Sequence, residues 1–351
     1  MSAPTMTVPA GRTPAPRPIP WRNLAWVTLR QRRGLFLGLG VFLGLFAAYL
    51  VVMAVIQGNA YSAVAACHPA SAARCQGLRQ AFVRRYWGGD SSALLSGGAQ
   101  SVSSLMFAVP VLLGAFTGAP LLSRELESGT FRFAWTQGAG RTRWAVSTLV
   151  VPALTVTAAT GAFTAVFYWY LRPFVALGQV SEMLPLTFAL LGVVFAAWTL
   201  FAYALAAFLG ALLRRTVPAM VLTLVVYVVL AMQTATAIRP RYAAPVTVPG
   251  ASAAASSGWV ISMFAKSSTG QEISQQALFA TFQQQAPASV QNSGNPGAYD
   301  TWATQHGYTQ WTTLQPDSRF WEFQLIEGAW LVAVSGALIG GSAWLIRRRD
   351  A

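Results

Sequence analysis

The sequence predicts an all-α integral membrane protein with six transmembrane helices, both termini in the cytoplasm and a folded extracytoplasmic cap. Three observations carry this prediction. Only 10% of the 351 residues are charged and 54% are hydrophobic, whereas soluble domains average about 25% charged residues. The apolar residues form six long runs that contain no Asp, Glu, Lys, Arg or His. The basic residues lie mainly at the ends of those runs.

Each apolar run can cross a membrane as a helix. A hydrocarbon core about 30 Å thick takes about 20 apolar residues, and a chain in lipid must satisfy its own backbone hydrogen bonds. The predicted spans are residues 34–57, 101–123, 144–171, 183–213, 216–238 and 328–346. Pro110 and Pro152 are candidate kinks within the second and third spans.

The placement of arginine and lysine predicts the orientation. One face of the membrane carries 15 of the 24 basic residues, in segments 1–33, 124–143, 214–215 and 347–351. The other face carries 9, spread over the longer segments 58–100, 172–182 and 239–327. The positive-inside rule therefore places the first set in the cytoplasm. An even number of spans agrees with two internal termini.

The domain organisation follows from these spans. We expect a cytoplasmic Pro-rich tail over residues 1–33, in which 21–33 form either an interfacial helix or an arginine stop signal without fixed structure. Spans one to five occupy 34–238 and include an outer loop, 58–100, and an inner loop, 123–143. Residues 239–327, called the cap below, precede the sixth span (328–346) and a cytoplasmic tail (347–351).

The two outer segments contain the cysteines and many aromatic residues. Cys67 and Cys75 are a candidate disulfide because an extracytoplasmic location permits one. Two unpaired thiols are the alternative, and a metal site is disfavoured because His68 is the one neighbouring histidine. The aromatic residues of the cap are too numerous for simple disorder, so we expect a folded unit. They serve either packing and membrane contact or substrate binding.

The sequence lacks the residues that several kinds of transport and catalysis need. Ion-coupled carriers place charged residues or histidine inside the bundle, whereas Arg172, Glu182 and Glu327 are expected at outer boundaries. The chain contains no G-x-x-x-x-G-K-[ST], H-E-x-x-H or G-x-S-x-G motif. We therefore predict a chain that is not an enzyme and binds no metal or cofactor. Active transport would then need energy from another chain.

The inner loop between the second and third spans carries the most informative motif. It contains the stretch Arg124-Glu125-Leu126-Glu127-Ser128-Gly129-Thr130, followed by Arg141 and Arg143. A short acidic helix that ends at Gly129 fits the preference of glycine for helix C-termini. The alternative is an ordinary inner-surface turn whose arginines hold the topology.

This stretch resembles the coupling segment of ABC transporter permeases of the type-2 exporter class, most closely the actinobacterial branch. The turn at residues 213–218 and the large outer segment before the last span also resemble that branch. The resemblance implies that residues 123–143, called the coupling segment below, contact a cytoplasmic ABC ATPase. The implied coupling residues are Arg124, Glu125, Glu127, Gly129, Thr130, Arg141 and Arg143.

The resemblance also implies partners and a location. ATP and magnesium would bind to the partner ATPase, two permease chains would form the pathway, and the chain would lie in the plasma membrane. The expected function is efflux of a substrate that is apolar or amphipathic, since the spans offer no charged site.

Two other function classes compete with an exporter subunit. A membrane-embedded enzyme would have to work from the cap with Asp300, Asp317, Glu322 or His306. A scaffold or sensor would instead use the aromatic residues of the cap to bind a ligand or a partner.

Overall fold

The computed structural model describes residues 20–88, 98–128, 141–250, 258–292 and 297–349. The α-helices are α1 (Trp21–Gln31), α2 (Arg33–Ala65), α3 (Ala73–Val83), α4 (Ala99–Met106), α5 (Val109–Ser128), α6 (Arg141–Ala176), α7 (Pro185–Leu190), α8 (Gly192–Leu213), α9 (Thr216–Gln233), α10 (Gln275–Gln285), α11 (Ala288–Gln291), α12 (Ala298–Gln305) and α13 (Phe320–Arg349). The strands are β1 (Val246–Pro249), β2 (Gly258–Lys266), β3 (Glu272–Ser274) and β4 (Thr309–Pro316). Short π-helical turns at Arg84–Gly88 and Thr234–Ile238, and 3-10 turns at Arg239–Arg241 and Asp317–Arg319, complete the helical elements.

Six helical stretches among the described residues are long and apolar enough to cross a membrane. They are Arg33–Ala65, Ala99–Arg124, Val146–Ala176, Gly192–Leu213, Thr216–Arg241 and Asp317–Arg348. Each overlaps one of the runs predicted from the sequence, so the prediction of an all-α membrane protein with six spans is confirmed. The helix α1 covers most of the stretch in which the sequence predicts an interfacial helix.

The predicted spans differ from the observed helices in their breaks. The run 183–213 is two helices, because Leu191 is extended and Gly192 has a φ of 63°, a conformation that favours glycine. The second span breaks between Met106 and Val109, so α4 and α5 are separate. Pro110 then lies in the first turn of α5, where a missing N–H costs least. The helix α6 continues through Pro152.

The core of the bundle is α8, which is buried over most of its length. Its closest neighbour is α5, and the backbones meet at Gly114 and Gly118. A Cβ atom on Gly118 would overlap the Tyr203 carbonyl oxygen, and one on Gly114 would overlap Ala202. Small residues therefore allow close helix contact, as in other membrane bundles.

The outer loop (residues 58–100) and the cap each have stabilising contacts of their own. A disulfide joins Cys67 and Cys75, whose Cα atoms are 5.6 Å apart. The cap contains an antiparallel sheet with the strand order β1-β4-β2-β3, which the sequence analysis does not anticipate. Phe282 and Trp302 pack with Leu278 beside Ala265 of β2. These aromatic residues therefore form the core of the cap, which is the packing use expected for them.

A buried ion pair joins α13 to Arg239, which lies in the helical turns that continue the span of α9. Arg239 and Glu327 are 1% and 0% exposed. The Arg239 Nε and Nη2 atoms donate to the two Glu327 carboxylate oxygens, both at 2.8 Å. The same carboxylate accepts from Trp198 Nε1 of α8 at 2.9 Å, and Arg239 Nη1 donates to the Pro185 carbonyl at 3.1 Å. The pair thus connects four helical elements, α7, α8, α9 and α13.

Tyr242 closes this network on the cap side. Its hydroxyl lies 3.4 Å from the second Glu327 oxygen and accepts from Trp330 Nε1 at 2.9 Å. Burial, together with the nearby Glu327 carboxylate, raises the pKa of Tyr242 to about 12. The hydroxyl therefore keeps its proton near neutral pH and donates a hydrogen bond to the carboxylate.

The depth of the pair follows from helix geometry. From the sequence Glu327 is expected at an outer boundary, but α13 begins at Phe320 and Glu327 lies inside it. Glu327 precedes Arg347 by 20 residues in this helix, which is about 30 Å at a rise of about 1.5 Å per residue. A hydrocarbon core is about 30 Å thick. If Arg347 marks one edge of the core, the ion pair lies at the other edge and not at mid-depth.

We predict a strong non-additive effect of substitutions in this pair. Arg239→Met or Glu327→Met alone leaves one buried charge without its partner, which typically costs about 3–5 kcal/mol. The double variant Arg239→Met/Glu327→Met removes both charges and should recover a large part of that loss. The measurement is the free energy of unfolding of the purified chain in a denaturant series, combined in a double-mutant cycle.

The exposed pair of Lys266 and Glu272 is a matched control. Their side chains are 36% and 65% exposed and 3.3 Å apart, so we expect the same cycle to give a coupling of about 0–1 kcal/mol. If the losses of Arg239→Met and Glu327→Met simply add, the buried pair does not hold the helices together.

Candidate functional site

The first part of the coupling segment is a continuation of α5. This helix runs to Ser128, so Ser123, Arg124 and Glu127 lie on its last turns beyond the apolar part of the span. Ser123 is fully buried, whereas Arg124 and Glu127 are exposed. Ser123 therefore packs against the bundle, and the exposed side chains of Arg124 and Glu127 are accessible to a partner.

The helix end contacts the beginning of α9 through two hydrogen bonds. The Glu127 Oε1 atom accepts from the Thr216 backbone N–H at 3.0 Å. The Ser123 and Thr216 hydroxyl oxygens are 2.6 Å apart and share a second hydrogen bond. Thr216 is the first residue of α9. Both bonds thus connect α5 to the same point of α9.

The contact with Glu127 supplies a helix-capping hydrogen bond at the start of α9, which the residue before the helix does not provide. The first N–H groups of a helix have no partner within the helix. The side chain of the preceding residue, Arg215, makes no capping hydrogen bond. A carboxylate at a helix N-terminus accepts such an N–H and interacts favourably with the helix dipole, typically by about 0.3–1 kcal/mol at an exposed site.

The junction of α1 and α2 contacts the same region. The Arg32 guanidinium donates to the Leu121 carbonyl of α5 at 3.1 Å. Because Leu121 is buried two residues before Ser123, this bond holds the amino-terminal helices against the base of the coupling segment. Three parts of the chain therefore meet here: the α1–α2 junction, the end of α5 and the start of α9.

The predicted coupling residues have different positions. Arg124 is exposed, Glu127 is exposed and bonded to α9, and Arg143 is half-buried near the start of α6. Gly129 and Thr130, and the side chains of Glu125 and Arg141, lie outside the described residues. The structure thus brings Glu127 to α9, a contact that the sequence analysis does not identify. Two features of the sequence could have predicted this contact. They are the acid in the motif and the lack of a capping residue before α9.

Three of the four residues on which an enzyme in the cap would depend make contacts with other partners, and the fourth, Glu322, lies in the first turn of α13. Asp317 accepts from the Ser181 hydroxyl and from the Met183 N–H. Asp300 accepts from Gln310 Nε2 at 2.7 Å. The His306 ring stacks on Trp302 with 4.3 Å between ring centroids. Each of these contacts serves the local fold. Among the described residues, no group of three or more His, Cys, Asp or Glu side chains could hold a metal ion.

Comparison with known proteins identifies the family. Residues 40–239 match the family described as ABC-2 membrane transporter related. Neither the comparison with curated proteins nor that with solved structures gives a match. The matched range covers more than half of the 351 residues and contains the coupling segment. It confirms the resemblance to type-2 ABC permeases, and such permeases are partners of cytoplasmic ATPase subunits. The chain therefore belongs to the ABC-2 membrane transporter related family and is a multi-pass permease of the cell membrane.

Proposed function

We propose that this chain is the transmembrane subunit of an ATP-driven exporter. A separate cytoplasmic ABC ATPase binds ATP and magnesium and docks on the coupling segment. The side of the bundle that carries this segment faces the cytoplasm, and the cap faces outward. The observation that supports the proposal most directly is the bond between Glu127 and the start of α9, because it connects a docking surface to a transmembrane helix.

The helix α9 is suited to carry movement through the bundle. Its buried residues form one stripe, Ala219, Thr223, Tyr227 and Ala231, spaced four apart. Residues at this spacing share one face of a helix. Most other side chains of α9 are exposed, which leaves the body of the helix with a narrow contact. Its two ends, by contrast, are held by polar contacts at Thr216 and Arg239.

This arrangement gives a mechanism for coupling. When the ATPase moves the end of α5, Glu127 and Ser123 move the start of α9. Because α9 slides or tilts more easily than the buried α8, the displacement reaches Arg239. Arg239 contacts Glu327 and the Pro185 carbonyl, so the movement reaches α7 and α13 beside the cap. Two copies of the chain, alternating between two arrangements, would form the pathway.

Substitutions in the coupling segment test the docking of the ATPase. The exposed Arg124 should contact the ATPase, so Arg124→Ala should weaken association by about tenfold, which corresponds to about 1.4 kcal/mol. Glu125→Gln tests the acid of the same motif and should act in the same direction. The measurement is the affinity between the purified chain in nanodiscs and each candidate ABC ATPase.

Glu272→Gln, an exposed acid in the cap, is the control and should leave the affinity unchanged. Association that is equal for the wild-type chain, Arg124→Ala and Glu125→Gln would show that the ATPase does not dock on this segment.

Substitutions at Glu127 separate docking of the ATPase from coupling to α9. Glu127→Ala removes the hydrogen bond that caps the N-terminus of α9 but leaves Arg124 in place, so the ATPase should still bind. Stimulation of ATP hydrolysis by the chain should fall several-fold, because the loss of a helix cap, about 1 kcal/mol, loosens the link to α9. Glu127→Gln, which retains an accepting oxygen, should lie between the wild-type chain and Glu127→Ala. The measurement is the ATP hydrolysis rate of the reconstituted complex at saturating chain concentration. Loss of binding and stimulation together would assign Glu127 to docking instead.

A further inference from the structure

A large apolar groove lies on the side of the bundle, between α6, α8 and α13. Its volume is about 1020 Å³. Small residues from each helix make the space, among them Gly161 of α6, Ala196 of α8 and Gly328 of α13. A Cβ atom on Gly161 would meet only Ala196, at 3.9 Å. The helices therefore leave a real gap at this position.

The groove is about as long as the hydrocarbon part of one membrane leaflet is thick. Its lining on α6 runs from Thr157 to Tyr168, and its lining on α13 runs from Phe320 to Val332. At a rise of about 1.5 Å per residue, these stretches are about 16 and 18 Å long. Half of a hydrocarbon core is about 15 Å. With Glu327 at the edge of the core, the groove begins on the cap side of that edge and reaches, at Val332, about 8 Å into the hydrocarbon.

The walls indicate an apolar occupant that enters from the lipid. Leu325 and Val332, at the edge on α13, are 64% and 52% exposed. With Glu327 at the edge of the core, Leu325 lies at the membrane surface and Val332 lies inside the hydrocarbon. The part of an occupant that lies along Val332 is therefore expected to be a hydrocarbon chain, since a polar group there would lose its hydrogen bonds to water.

The cap-side end of the groove has a different character. Glu182 carries the one charged side chain among the described residues that line the groove. It is half-buried, and its Oε1 atom accepts from the Tyr168 hydroxyl at 3.0 Å. An ionised carboxylate has room for further donors. Trp321, 61% exposed, lines the same end, and an indole face attracts ammonium groups. Arg172, one turn beyond Tyr168, is exposed and lies outside the lining.

We propose that this groove binds the alkyl chain of an amphiphile that has a protonated amine or ammonium head. The chain lies between α6 and α13, and the head contacts the Glu182 carboxylate and the face of Trp321. This inference rests on the proposed exporter function, for which it names a substrate class and a site of entry from the leaflet on the cap side.

The test compares heads on one chain length. The wild-type chain in nanodiscs is titrated with radiolabelled dodecyltrimethylammonium, dodecyl maltoside and dodecyl sulfate, below the concentrations at which they form micelles. Dodecyltrimethylammonium should bind about tenfold more tightly than dodecyl sulfate, because its head carries no N–H but pairs with the carboxylate by charge and contacts the indole face. Glu182→Gln should remove this preference and leave the binding of dodecyl maltoside unchanged.

A second pair of variants tests the groove itself. Gly161→Phe fills the groove and should weaken the binding of all three amphiphiles. Gly336→Phe adds the same side chain on α13 at a position where an added Cβ meets no atom within 4 Å, and it should bind like the wild-type chain. Unchanged unfolding midpoints show that each variant is folded.

Three outcomes would overturn the inference. They are equal binding of the ammonium and the sulfate, a preference that survives Glu182→Gln, and normal binding by Gly161→Phe. A change in oligomeric state of Gly161→Phe without a change in binding would assign the groove to a second copy of the chain. The assay contains no ATPase, so its failure leaves the exporter proposal intact. Failure of the ATPase to associate would likewise leave this binding result intact.

Discussion

The hydrocarbon core does not tolerate an isolated charge, and this constraint shapes the whole molecule. A lone buried charge costs several kcal/mol or more. Arg239 and Glu327 satisfy the constraint by neutralising each other, and three neutral partners, Trp198, Tyr242 and the Pro185 carbonyl, occupy remaining hydrogen-bond positions. A pair held in this way is a structural connection between helices.

The same constraint explains why the polar contacts lie at the ends of α9. Within the membrane the helix presents a stripe of small and aromatic residues to α5 and α8 and mostly apolar side chains elsewhere. Its hydrogen-bonded contacts to other helices are at Thr216 on one side and Arg239 on the other. A helix that is fixed at its ends and weakly packed along its length transmits displacement with little cost in packing. The groove between α6 and α13 follows the same rule, because Glu182, the one charged side chain among its described lining residues, is at the polar edge.

The sequence predicts the parts of this structure that depend on local composition. Long uncharged runs are sufficient to predict six spans, and the motif at Arg124–Thr130 is sufficient to predict the family. Contacts between distant residues are not predictable in this way. Arg239 and Glu327 are 88 positions apart and look like solvated boundary residues until the helices are in place. The cap sheet pairs β2 with β4 across more than forty residues, and these two strands lack a clear alternation of polar and apolar residues. The break at Leu191 escapes notice because both flanking segments are apolar.

The most direct test of coupling measures whether α5 and the start of α9 move as one body. Spin labels at Phe116 of α5 and Val217 of α9, which are both exposed and outside the proposed docking surface, report the distance between the two helices, and a label at the exposed Leu154 of α6 provides a reference. Pulsed electron paramagnetic resonance on the complex with the ATPase would compare the nucleotide-free and ATP-trapped states. If α5 carries the start of α9 with it, the distance from 116 to 217 stays constant while the distance from 217 to 154 changes. A shift between 116 and 217, with 217 fixed relative to 154, would contradict this mechanism.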